Sequence, residues 1–558
     1  MSMQALPIEP VPEETARVAR AAFRKGNLLM RIRDEIGILY DDQMFASLYD
    51  ARGQLAISPW RLALVTVFQF LENLSDRQAA EAVRSRIDLK YALSLELDDP
   101  GFDFSVLCEF RARLLAGGRD QNLLEVMLEH LHQRGLVKAR GKQRTDSTHV
   151  LAAVRSLNRL EFIGETMRAA LNAVAISAPQ WLVEHNRPGW VERYGARVEQ
   201  YRLPRSLAAR QALAEVIGAD GHDLLAALFD ETERFWLCRL PAVERLRIVW
   251  IQQFRHDQDR VRWREPADQP PVSQRLHSPY DPDVRYARKR ETGWIGYKVH
   301  LTETCDGNTP NLITDIQTTA AGLGDVEMTA PVQDALTERG LPPETHLVDA
   351  GYVDAALLIS SRAEHAIDLL GPVLPDSSWR ARDGQGFDLG AFTILCDEQV
   401  ARCPVGQTSR VWEPGYDEAG APVVRIRFSL HTCGPCPHRE QCSRSTPGGR
   451  ITARRLVVYT RSAHEALQAR RLEQNSESWK KHYACRAGIE GTLSQGVRRF
   501  GLRRCRYLGQ AKTHLQHVFT AAAINLARLD AWLQGKPRAQ TRQSKFSALP
   551  PGAAGDLK

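Results

Sequence analysis

Residues 479–500 read WKKHYACRAGIEGTLSQGVRRF, and their periodicity predicts one amphipathic helix. Tyr483, Arg486 and Glu490 lie on one face of this helix, because offsets of three, four and seven return to the same side. The surrounding segment, residues 450–512, carries fifteen Lys and Arg against four Glu, a net charge of +11. A lone carboxylate in such a field stays ionised, which suits Glu490 to binding a divalent metal. A solvated amphipathic helix with a chance glutamate explains this stretch equally well.

Length and composition indicate a multidomain globular protein. The 558 residues exceed what one core usually organises, and 43% hydrophobic with 25% charged residues is ordinary for a soluble chain. No run of about 18 uncharged apolar residues occurs, and the first residues lack the pattern of a secretion signal, so we expect a cytoplasmic protein. The net charge of +7 is concentrated in residues 450–512, which predicts a polyanionic partner.

Residues 13–136 have helical periodicity with clear start signals. Ser58 and Pro59 are typical of an N-cap and a first helical residue, and Ser75 with Gln78 has the pattern of a capping box. Two helices joined by a short link near residue 73 predict either a helix-turn-helix-like DNA-binding module or a plain helical bundle. In the first case five arginines would reach DNA phosphates: Arg77, Arg84, Arg86, Arg111 and Arg113.

Strand patterns stand on both sides of a long helical stretch. RTDSTHV predicts a strand with Asp146 near its start, and HLVDAGYV predicts a short buried strand ending in Asp349 and Gly351. Residues 294–306 and 311–321 also have strand patterns, and the turn residues 306–308 between them predict a hairpin. Asp325 is interpreted as a helix cap in preference to a catalytic residue. Residues 155–268 return to helical periodicity, as expected of an all-α insertion.

Four cysteines cluster in a Gly- and Pro-rich segment. Cys433 and Cys436 form a CxxC in a tight turn, with Cys403 and Cys442 on either side. Four thiolates are the ligand set of a tetrahedral structural zinc site. Unligated reduced thiols explain the same residues, and a redox role is a third interpretation.

Asp146, Asp349 and Glu490 are candidate metal ligands. Three carboxylates suit two Mg²⁺ or Mn²⁺ ions, since one carboxylate bridges the ions and each ion takes one more. Two such ions activate a water or a 3′-hydroxyl and stabilise the leaving oxygen in a displacement at phosphorus. The chain holds 67 Asp and Glu, so spacing alone does not single out these three.

The chain resembles the DDE transposases of bacterial insertion sequences whose glutamate helix carries a Tyr-two-Arg-three-Glu motif. Here that motif is Tyr483, Arg486 and Glu490. The resemblance extends to three other motifs, which are TDSTHV with Asp146, Gly296-Tyr297-Lys298, and Asp349-x-Gly351-Tyr352. Residues 31–115 are similar to the helical domain that precedes such catalytic cores. Together these features cover most of residues 15–530.

The resemblance implies an α/β RNase H-like fold, with a mixed sheet flanked by helices. The two aspartates would lie on adjacent strands and the glutamate on a later helix. Asp146 and Asp349 would share one Mg²⁺ or Mn²⁺, and Glu490 would complete the site of a second ion. Tyr483 and Arg486 would position a DNA phosphate or support Glu490.

One position departs from the family pattern. The family prefers Lys or Arg seven residues after the glutamate, where this chain has Val497. Arg498 and Arg499 follow directly and are the predicted DNA-binding residues, although Arg498 lies about 80° from the direction of Glu490 in a straight helix. Either Arg498 reaches around, or Gly496 distorts the helix, or this basic role is weaker here.

From these patterns we predict a layout in six parts. They are residues 1–140, a helical N-terminal DNA-binding domain; 141–154 and 285–375, the first parts of the RNase H-like core; 155–284, an α-helical insertion; 376–450, a Cys-rich β insertion; 451–533, the part of the core with the glutamate helix; and 534–558, a disordered basic tail.

The predicted function is transposition of an insertion sequence. The protein would bind double-stranded DNA at the terminal inverted repeats, cleave it with metal, and join the ends to target DNA, acting as a homodimer at the nucleoid. Two alternatives are an RNase H-fold nuclease without strand transfer and an inactive DNA-binding remnant of an element. The intact set of three acids argues against the remnant.

Overall fold

The computed structural model describes residues 2–5, 7–258, 260–374, 378–383, 386–417, 420–443 and 451–538. Its strands, in chain order, are β1 (Lys142–Leu151), β2 (Phe254–Asp257), β3 (Arg260–Trp263), β4 (Arg285–Lys289), β5 (Thr292–Thr304), β6 (Ile313–Ala320), β7 (Thr345–Leu347), β8 (Asp368–Leu370), β9 (Thr393–Leu395), β10 (Val400–Arg402), β11 (Val411–Tyr416), β12 (Pro422–Arg427) and β13 (Arg455–Tyr459).

A mixed sheet flanked by helices lies at the centre, as predicted. β1 pairs antiparallel with β5 on one side and parallel with β7 on the other. β8 continues the parallel edge, while β4 and β6 pair antiparallel with the outer side of β5. β5 and β6 form the predicted hairpin. On one side of β1 lies the antiparallel strand β5, which forms a hairpin with β6, and on the other side lies the parallel strand β7.

The α-helices are distributed around this sheet and in two peripheral regions. In chain order they are α1 (Glu13–Ala22), α2 (Leu28–Arg31), α3 (Pro59–Glu72), α4 (Asp76–Ser85), α5 (Ile87–Ala92), α6 (Ser105–Ala116), α7 (Asn122–Gln133), α8 (Arg159–Ser177), α9 (Pro179–His185), α10 (Trp190–Tyr194), α11 (Leu207–Asp230), α12 (Pro241–Gln253), α13 (Thr329–Glu338), α14 (Ala355–His365), α15 (Trp379–Asp383), α16 (Leu430–Cys433), α17 (Arg439–Cys442), α18 (Arg461–Glu473), α19 (Glu477–Tyr483), α20 (Gly488–Phe500) and α21 (Gln510–Leu533).

Local signals explain where the N-terminal helices begin and end. α3 starts with Pro59 and ends at Glu72, and the following residue, Asn73, caps it in the left-handed conformation that asparagine tolerates. Ser75 and Gln78 then form the predicted capping box that opens α4. α3 is buried over almost its whole length, so it is a core helix of this region.

Helix α21 joins the N-terminal helices to the sheet. Its Phe519 ring lies 5.4 Å from the ring of Phe70 on α3. On another side, the Asn525 amide accepts from the backbone N–H of Ile313 at 2.7 Å and donates to its carbonyl at 2.9 Å, which ties α21 to β6. The N-terminal helices, the sheet and α21 consequently share one hydrophobic core.

Helices α8 to α12 enclose a separate core that is rich in tryptophan. Trp250 is buried, and its indole N–H donates to the carbonyl of Gly218 at 2.8 Å. A side chain at Gly221 would meet the same ring, because a Cβ there would lie 2.2 Å from it. Arg193 and Tyr194 both donate to the Asp220 carboxylate, which pairs this charge inside the region.

A small lobe follows β8 along the chain. β11, β12 and β13 form one antiparallel sheet, and β9 pairs with β10 in another. Among its described residues, the lobe has a core of six buried residues, which are Phe392, Ala401, Ile426, Phe428, Leu456 and Val458. Such a core is small for the length of the lobe.

Three local predictions are wrong. The insertion expected to be all-α, residues 155–268, also contains an antiparallel hairpin in which β2 pairs with β3. β7 ends at Leu347, and Asp349 lies after the strand as the N-cap of a 3₁₀ turn, because its carboxylate accepts from the backbone N–H of Gly351 at 2.8 Å. Asp325 does not cap a helix with its side chain: it lies inside a 3₁₀ turn, Asp325–Met328, that precedes α13, and its carboxylate is bound by Lys298 and Ser147.

In the part of the chain that the structure describes, no helix is both long and apolar enough to cross a membrane. The predicted tail, residues 534–558, falls mostly outside the described residues. Of its first residues, Arg538 donates to the backbone carbonyls of Asp306 and Thr309, next to the β5–β6 turn.

Gly296 offers a test of how β5 fits against β1. Its φ is +155°, and a Cβ there would lie 2.1 Å from the carbonyl oxygen of Val150, which is backbone and has no room to move. We expect Gly296→Ala to lower the free energy of unfolding by about 2–4 kcal/mol in urea denaturation. Gly322→Ala, at a glycine with open space around it, is the matched control. Equal stability of the two variants would contradict this account.

Candidate active site

Asp146 lies in the middle of β1, where its backbone pairs with Leu301 of β5. Its side chain is largely buried, and one carboxylate oxygen accepts from the backbone N–H of Ser147 at 2.8 Å. Burial, opposed by the nearby Arg486 guanidinium, raises the pKa of Asp146 to about 6. Because burial destabilises the ionised form of Asp146, any cation beside its carboxylate stabilises that form.

Asp349 stands beside Asp146 because of the parallel register. Arg144 of β1 pairs with Leu347 of β7, so two residues farther along the chain on each side Asp146 and Asp349 lie next to each other, just beyond the C-terminal end of β7. The turn after β7 holds Asp349 in place through the bond from Gly351 N–H. The two aspartates thus come from adjacent strands although 203 residues separate them in sequence.

Glu490 enters from α20, which packs against β1. Its neighbour Ile489 is fully buried in the main core, whereas the Glu490 side chain is 69% exposed. Two residues on, Thr492 donates its hydroxyl to the buried carboxylate of Glu303 at 2.7 Å, which fixes α20 to β5. The glutamate is therefore presented to solvent by a helix that is anchored on its other side.

One guanidinium, that of Arg486, contacts all three acids. Its Nη2 lies 2.8 Å from Asp146 Oδ2 and 3.4 Å from Asp349 Oδ2, and its Nη1 lies 3.4 Å from Glu490 Oε1. The Arg486 side chain is only 14% exposed. The structure thus brings together the four charged residues of the predicted site, with the single positive charge between three negative ones.

The helix predicted for residues 479–500 is interrupted, so that prediction is wrong in part. α19 ends at Tyr483, residues Ala484–Ala487 form a 3₁₀ turn, and α20 begins at Gly488. Arg144 explains the break: its Nη1 donates to the carbonyl of Cys485 at 2.5 Å, and a Cβ at Gly488 would lie 2.1 Å from the same nitrogen. A buried side chain inserted beside a helix distorts its hydrogen-bond ladder.

Tyr483 does not join the acids by a hydrogen bond. Its ring stacks on Trp479, with ring centroids 4.7 Å apart and planes 17° apart. Burial raises the pKa of the Tyr483 hydroxyl. Tyr483 therefore lies near enough to feel the charges of the acids without bonding to them, while Arg486 contacts them directly.

Among the described residues, neither Arg498 nor Arg499 forms an ion pair with the three acids. Both side chains are exposed, and the position seven residues after Glu490 is taken by Val497, which packs partly buried against the main core. Arg499 lies nine residues after Glu490, which is the opposite side of a helix. The structure does not bring these two arginines to the candidate site.

A network behind the aspartates was missed in the sequence. Asp325 accepts from Lys298 Nζ at 2.9 Å and from Ser147 Oγ at 3.1 Å, so it connects β5 to the residue that follows Asp146. Next to it, the Tyr352 hydroxyl lies 2.6 Å from Nδ1 of His300, whose pKa burial lowers to about 4. The Gly-Tyr-Lys motif contained Lys298, but no local pattern identified Asp325 as its partner.

The three acids have the right chemistry for a divalent ion, but their carboxylates are not arranged around a common point where an ion could bind. Carboxylate oxygens are the ligands that Mg²⁺ and Mn²⁺ prefer. Among the described residues, no group of three His, Cys, Asp or Glu has the arrangement needed to hold a metal. At the acids the reason is visible, since Arg486 fills the space that an ion shared by Asp146 and Asp349 would take.

The four predicted zinc ligands, Cys403, Cys433, Cys436 and Cys442, line one small apolar cavity of the lobe. Burial raises the pKa of the Cys442 thiol, and Cys433 and Cys403 are close enough to add to this shift. The thiols are therefore neighbours but, within the described part of the lobe, not at metal-ligand geometry. All four are free cysteines.

Comparison with known proteins gives two family matches. Residues 402–530 match a family model described as "Transposase DDE domain". The matched range includes Arg486 and Glu490. Residues 17–113 match a model described as "Transposase domain (DUF772)". Comparisons with curated proteins and with solved structures gave no match.

Replacing Arg486 tests whether its guanidinium competes with a metal. We expect Mg²⁺ to raise the melting temperature of Arg486→Gln more than that of the unaltered protein, because Asp146 and Asp349 lose the cation that now occupies their site. The difference should correspond to about ten-fold tighter Mg²⁺ binding. Thermal unfolding with and without Mg²⁺ measures it. Arg498→Gln, an exposed arginine on α20, is the control, and equal Mg²⁺ shifts in both variants would contradict the competition.

Proposed function

We infer the function of this chain from one premise, that its two family matches make it a DDE transposase of an insertion sequence. A DDE transposase domain implies an RNase H-like fold, the use of divalent metal ions and binding to DNA. We propose that this protein binds the terminal inverted repeats of its element, hydrolyses phosphodiester bonds at the ends and joins the 3′-hydroxyls to target DNA. The observation that supports this best is the convergence of Asp146, Asp349 and Glu490 on one guanidinium.

In this proposal the three acids hold two Mg²⁺ or Mn²⁺ ions. Asp146 and Asp349 share one ion, and Glu490 completes the site of the other. Bound ions would activate the attacking water or 3′-hydroxyl and stabilise the leaving oxygen. The side-chain exposure rises from 11% at Asp146 through 31% at Asp349 to 69% at Glu490, which fits this order: the two aspartates form one half of the site, and the most exposed acid closes it when DNA is present.

Arg486 changes partner in the same proposal. Its guanidinium balances the acids while no other cation is present, and it donates to a phosphate oxygen when the acids bind metal. A phosphate accepts two parallel hydrogen bonds from one arginine, as a carboxylate does. Tyr483 and Trp479, stacked beside the entrance, would pack against the sugar or base next to that phosphate.

The N-terminal helices offer fewer DNA contacts than the sequence predicted. Arg111 is buried in an ion pair with Asp76, and Arg86 pairs with Glu72 and Asp88, so both support the fold. The exposed arginines of α4, Arg77 and Arg84, are the ones that we propose to contact the phosphates of the terminal repeat.

The domain layout predicted from the sequence is kept as a proposal. It has the helical domain 1–140, the core in three parts (141–154, 285–375 and 451–533), the helical insertion 155–284, the Cys-rich insertion 376–450 and the tail 534–558. We propose that the protein acts as a homodimer on paired element ends and works in the cytoplasm at the nucleoid.

Two other functions make different predictions. A nuclease of the same fold would hydrolyse the ends but not join them, which a strand-transfer assay with pre-cut ends distinguishes. An inactive remnant would bind DNA without cleaving it. The contacts of Arg486 with all three acids favour a working site over a remnant, because an abandoned site has no reason to keep three carboxylates together.

Conservative replacement of the acids tests the chemistry. We expect Asp146→Asn, Asp349→Asn and Glu490→Gln each to cut labelled element-end DNA at less than about one-hundredth of the wild-type rate in Mg²⁺, because each change removes a metal ligand. Binding of the same DNA in a gel-shift assay should change little. Glu477→Gln, an exposed carboxylate on α19, controls for the loss of charge nearby. A variant that cuts at a near wild-type rate would remove its residue from the site.

The zinc prediction also stays a proposal, supported by the shared cavity of Cys403, Cys433, Cys436 and Cys442. We expect purified protein to contain about one Zn²⁺ per chain and the double variant Cys433→Ser/Cys436→Ser to lose it, since two of four ligands are gone. Elemental analysis measures the content. The pair Cys108→Ser/Cys485→Ser, at exposed thiols elsewhere, is the control. Protein prepared without chelator and carrying far less than one zinc would contradict the proposal.

A further inference from the structure

A cleft of about 650 Å³ lies between α20 and the C-terminal end of α21, and no proposed catalytic residue lines it. We call it the back cleft. The charged side chains that line it are all basic: Arg144, Arg499, Arg528, Lys536 and Arg538. Among the described residues, no carboxylate lines its surface.

The floor of the back cleft is positive even after its internal pairing. Arg144 and Arg528 both bind the fully buried Glu303, each at 2.6 Å, so two cations share one anion. Because Glu303 is completely covered, its charge is not offered to solvent, whereas parts of Arg528 remain accessible. The floor carries a net charge of +1.

The rim adds three more positive charges. Arg499, Lys536 and Arg538 are exposed, and neither Arg499 nor Lys536 forms an ion pair with any other described residue. Arg538 donates to backbone carbonyls and leaves its charge uncompensated. Arg538 contacts the backbone of Asp306, whose side chain does not line the cleft and is not counted here. A net charge of about +4 in one cleft favours a polyanion.

The back cleft and the acids lie on different sides of α20. Gly491, Gln495 and Arg499 recur every four residues and line the cleft. At 100° per residue, the centre of that face lies about 140° from the direction of Glu490. A strand held at the acids therefore does not fill the back cleft, so a ligand there is a second segment.

Resting on the proposed function, we propose that the back cleft binds the phosphate backbone of a second DNA duplex segment. Two features suit a backbone more than a small anion. The cations are spread along a groove, as successive phosphates are along a strand. Gly491 faces open space on the α20 wall, with no atom within 4 Å of a Cβ placed there, so a sugar-phosphate chain can approach the helix closely.

One side chain, that of Arg144, connects the back cleft to the active site. Arg144 lines the cleft and also holds the Cys485 carbonyl in the 3₁₀ turn that carries Arg486. A phosphate that accepts a hydrogen bond from the Arg144 guanidinium would weaken the hydrogen bond from Arg144 to Cys485 in that turn. DNA bound in the cleft would then shift the position of the Arg486 guanidinium, which contacts the acids.

The first experiment measures binding of a random-sequence duplex to the full chain as a function of salt. For Arg499→Gln/Lys536→Gln we expect the slope of log affinity against log salt to be smaller by about 2, because two side chains no longer neutralise a phosphate. Arg205→Gln, an exposed arginine on the separate helical core, should leave the slope unchanged. A double variant with the wild-type slope would overturn the proposal.

The second experiment uses Gly491, where a new side chain fits without displacing others. Gly491→Glu places a negative charge in the cleft, and Gly491→Ala makes the same backbone change without charge. We expect Gly491→Glu to reduce binding of the random duplex at least about ten-fold relative to Gly491→Ala, with equal melting temperatures. Equal binding by the two folded variants would overturn the proposal.

Activity assays then identify the source of the second segment. If it is target DNA, Gly491→Glu will join pre-cut ends to a random duplex less efficiently than Gly491→Ala. If it is the flank of the element, cleavage of an uncut end with flanking DNA will fall instead. Absence of cleavage and joining by the unaltered protein would count against the proposed function, whereas the two binding experiments judge the back cleft by themselves.

Discussion

The central constraint on this fold is that three carboxylates stand together beside the C-terminal end of β7. Asp146 is largely buried, and burial raises its pKa to about 6 even though the nearby Arg486 guanidinium lowers it. Placing Asp349 beside it adds repulsion, which only a nearby cation can offset. Arg486 supplies that cation from the turn between α19 and α20, so the acids and the arginine depend on one another. The three carboxylates have the chemistry to accept a divalent ion in place of the guanidinium.

A second charged group holds the surrounding elements in register. Glu303 of β5 is fully buried and binds Arg144 of β1, Thr492 of α20 and Arg528 of α21. Four elements distant in sequence therefore meet at one carboxylate. Removing one partner of such a buried group leaves the others unpaired, so these interactions specify a single arrangement of α20 on the sheet. The same arginines form the floor of the back cleft, which places a basic surface directly behind the glutamate helix.

The sequence allowed the sheet, its hairpin and the three acids to be named, because each has a local pattern or belongs to a motif. The pairing of β1 with β7 was accessible only through the resemblance, since no local pattern reports a contact over 203 residues. The break at Ala484–Ala487 could not be predicted, as it follows from a side chain of β1. Asp325 was interpreted from its neighbours in sequence, whereas its carboxylate is used by β5. Arg499 was assigned by its spacing from Glu490, and the turn of the helix places it on the opposite side.

The most direct test of the account is a crystal structure of the full chain with element-end DNA and Mn²⁺, with anomalous diffraction to locate the ion. The account predicts anomalous density between the carboxylates of Asp146 and Asp349, with Glu490 turned toward it, and the Arg486 guanidinium moved to a DNA phosphate. Density at another position, with Arg486 still paired to Asp146 at about its present distance of 2.8 Å, would contradict it.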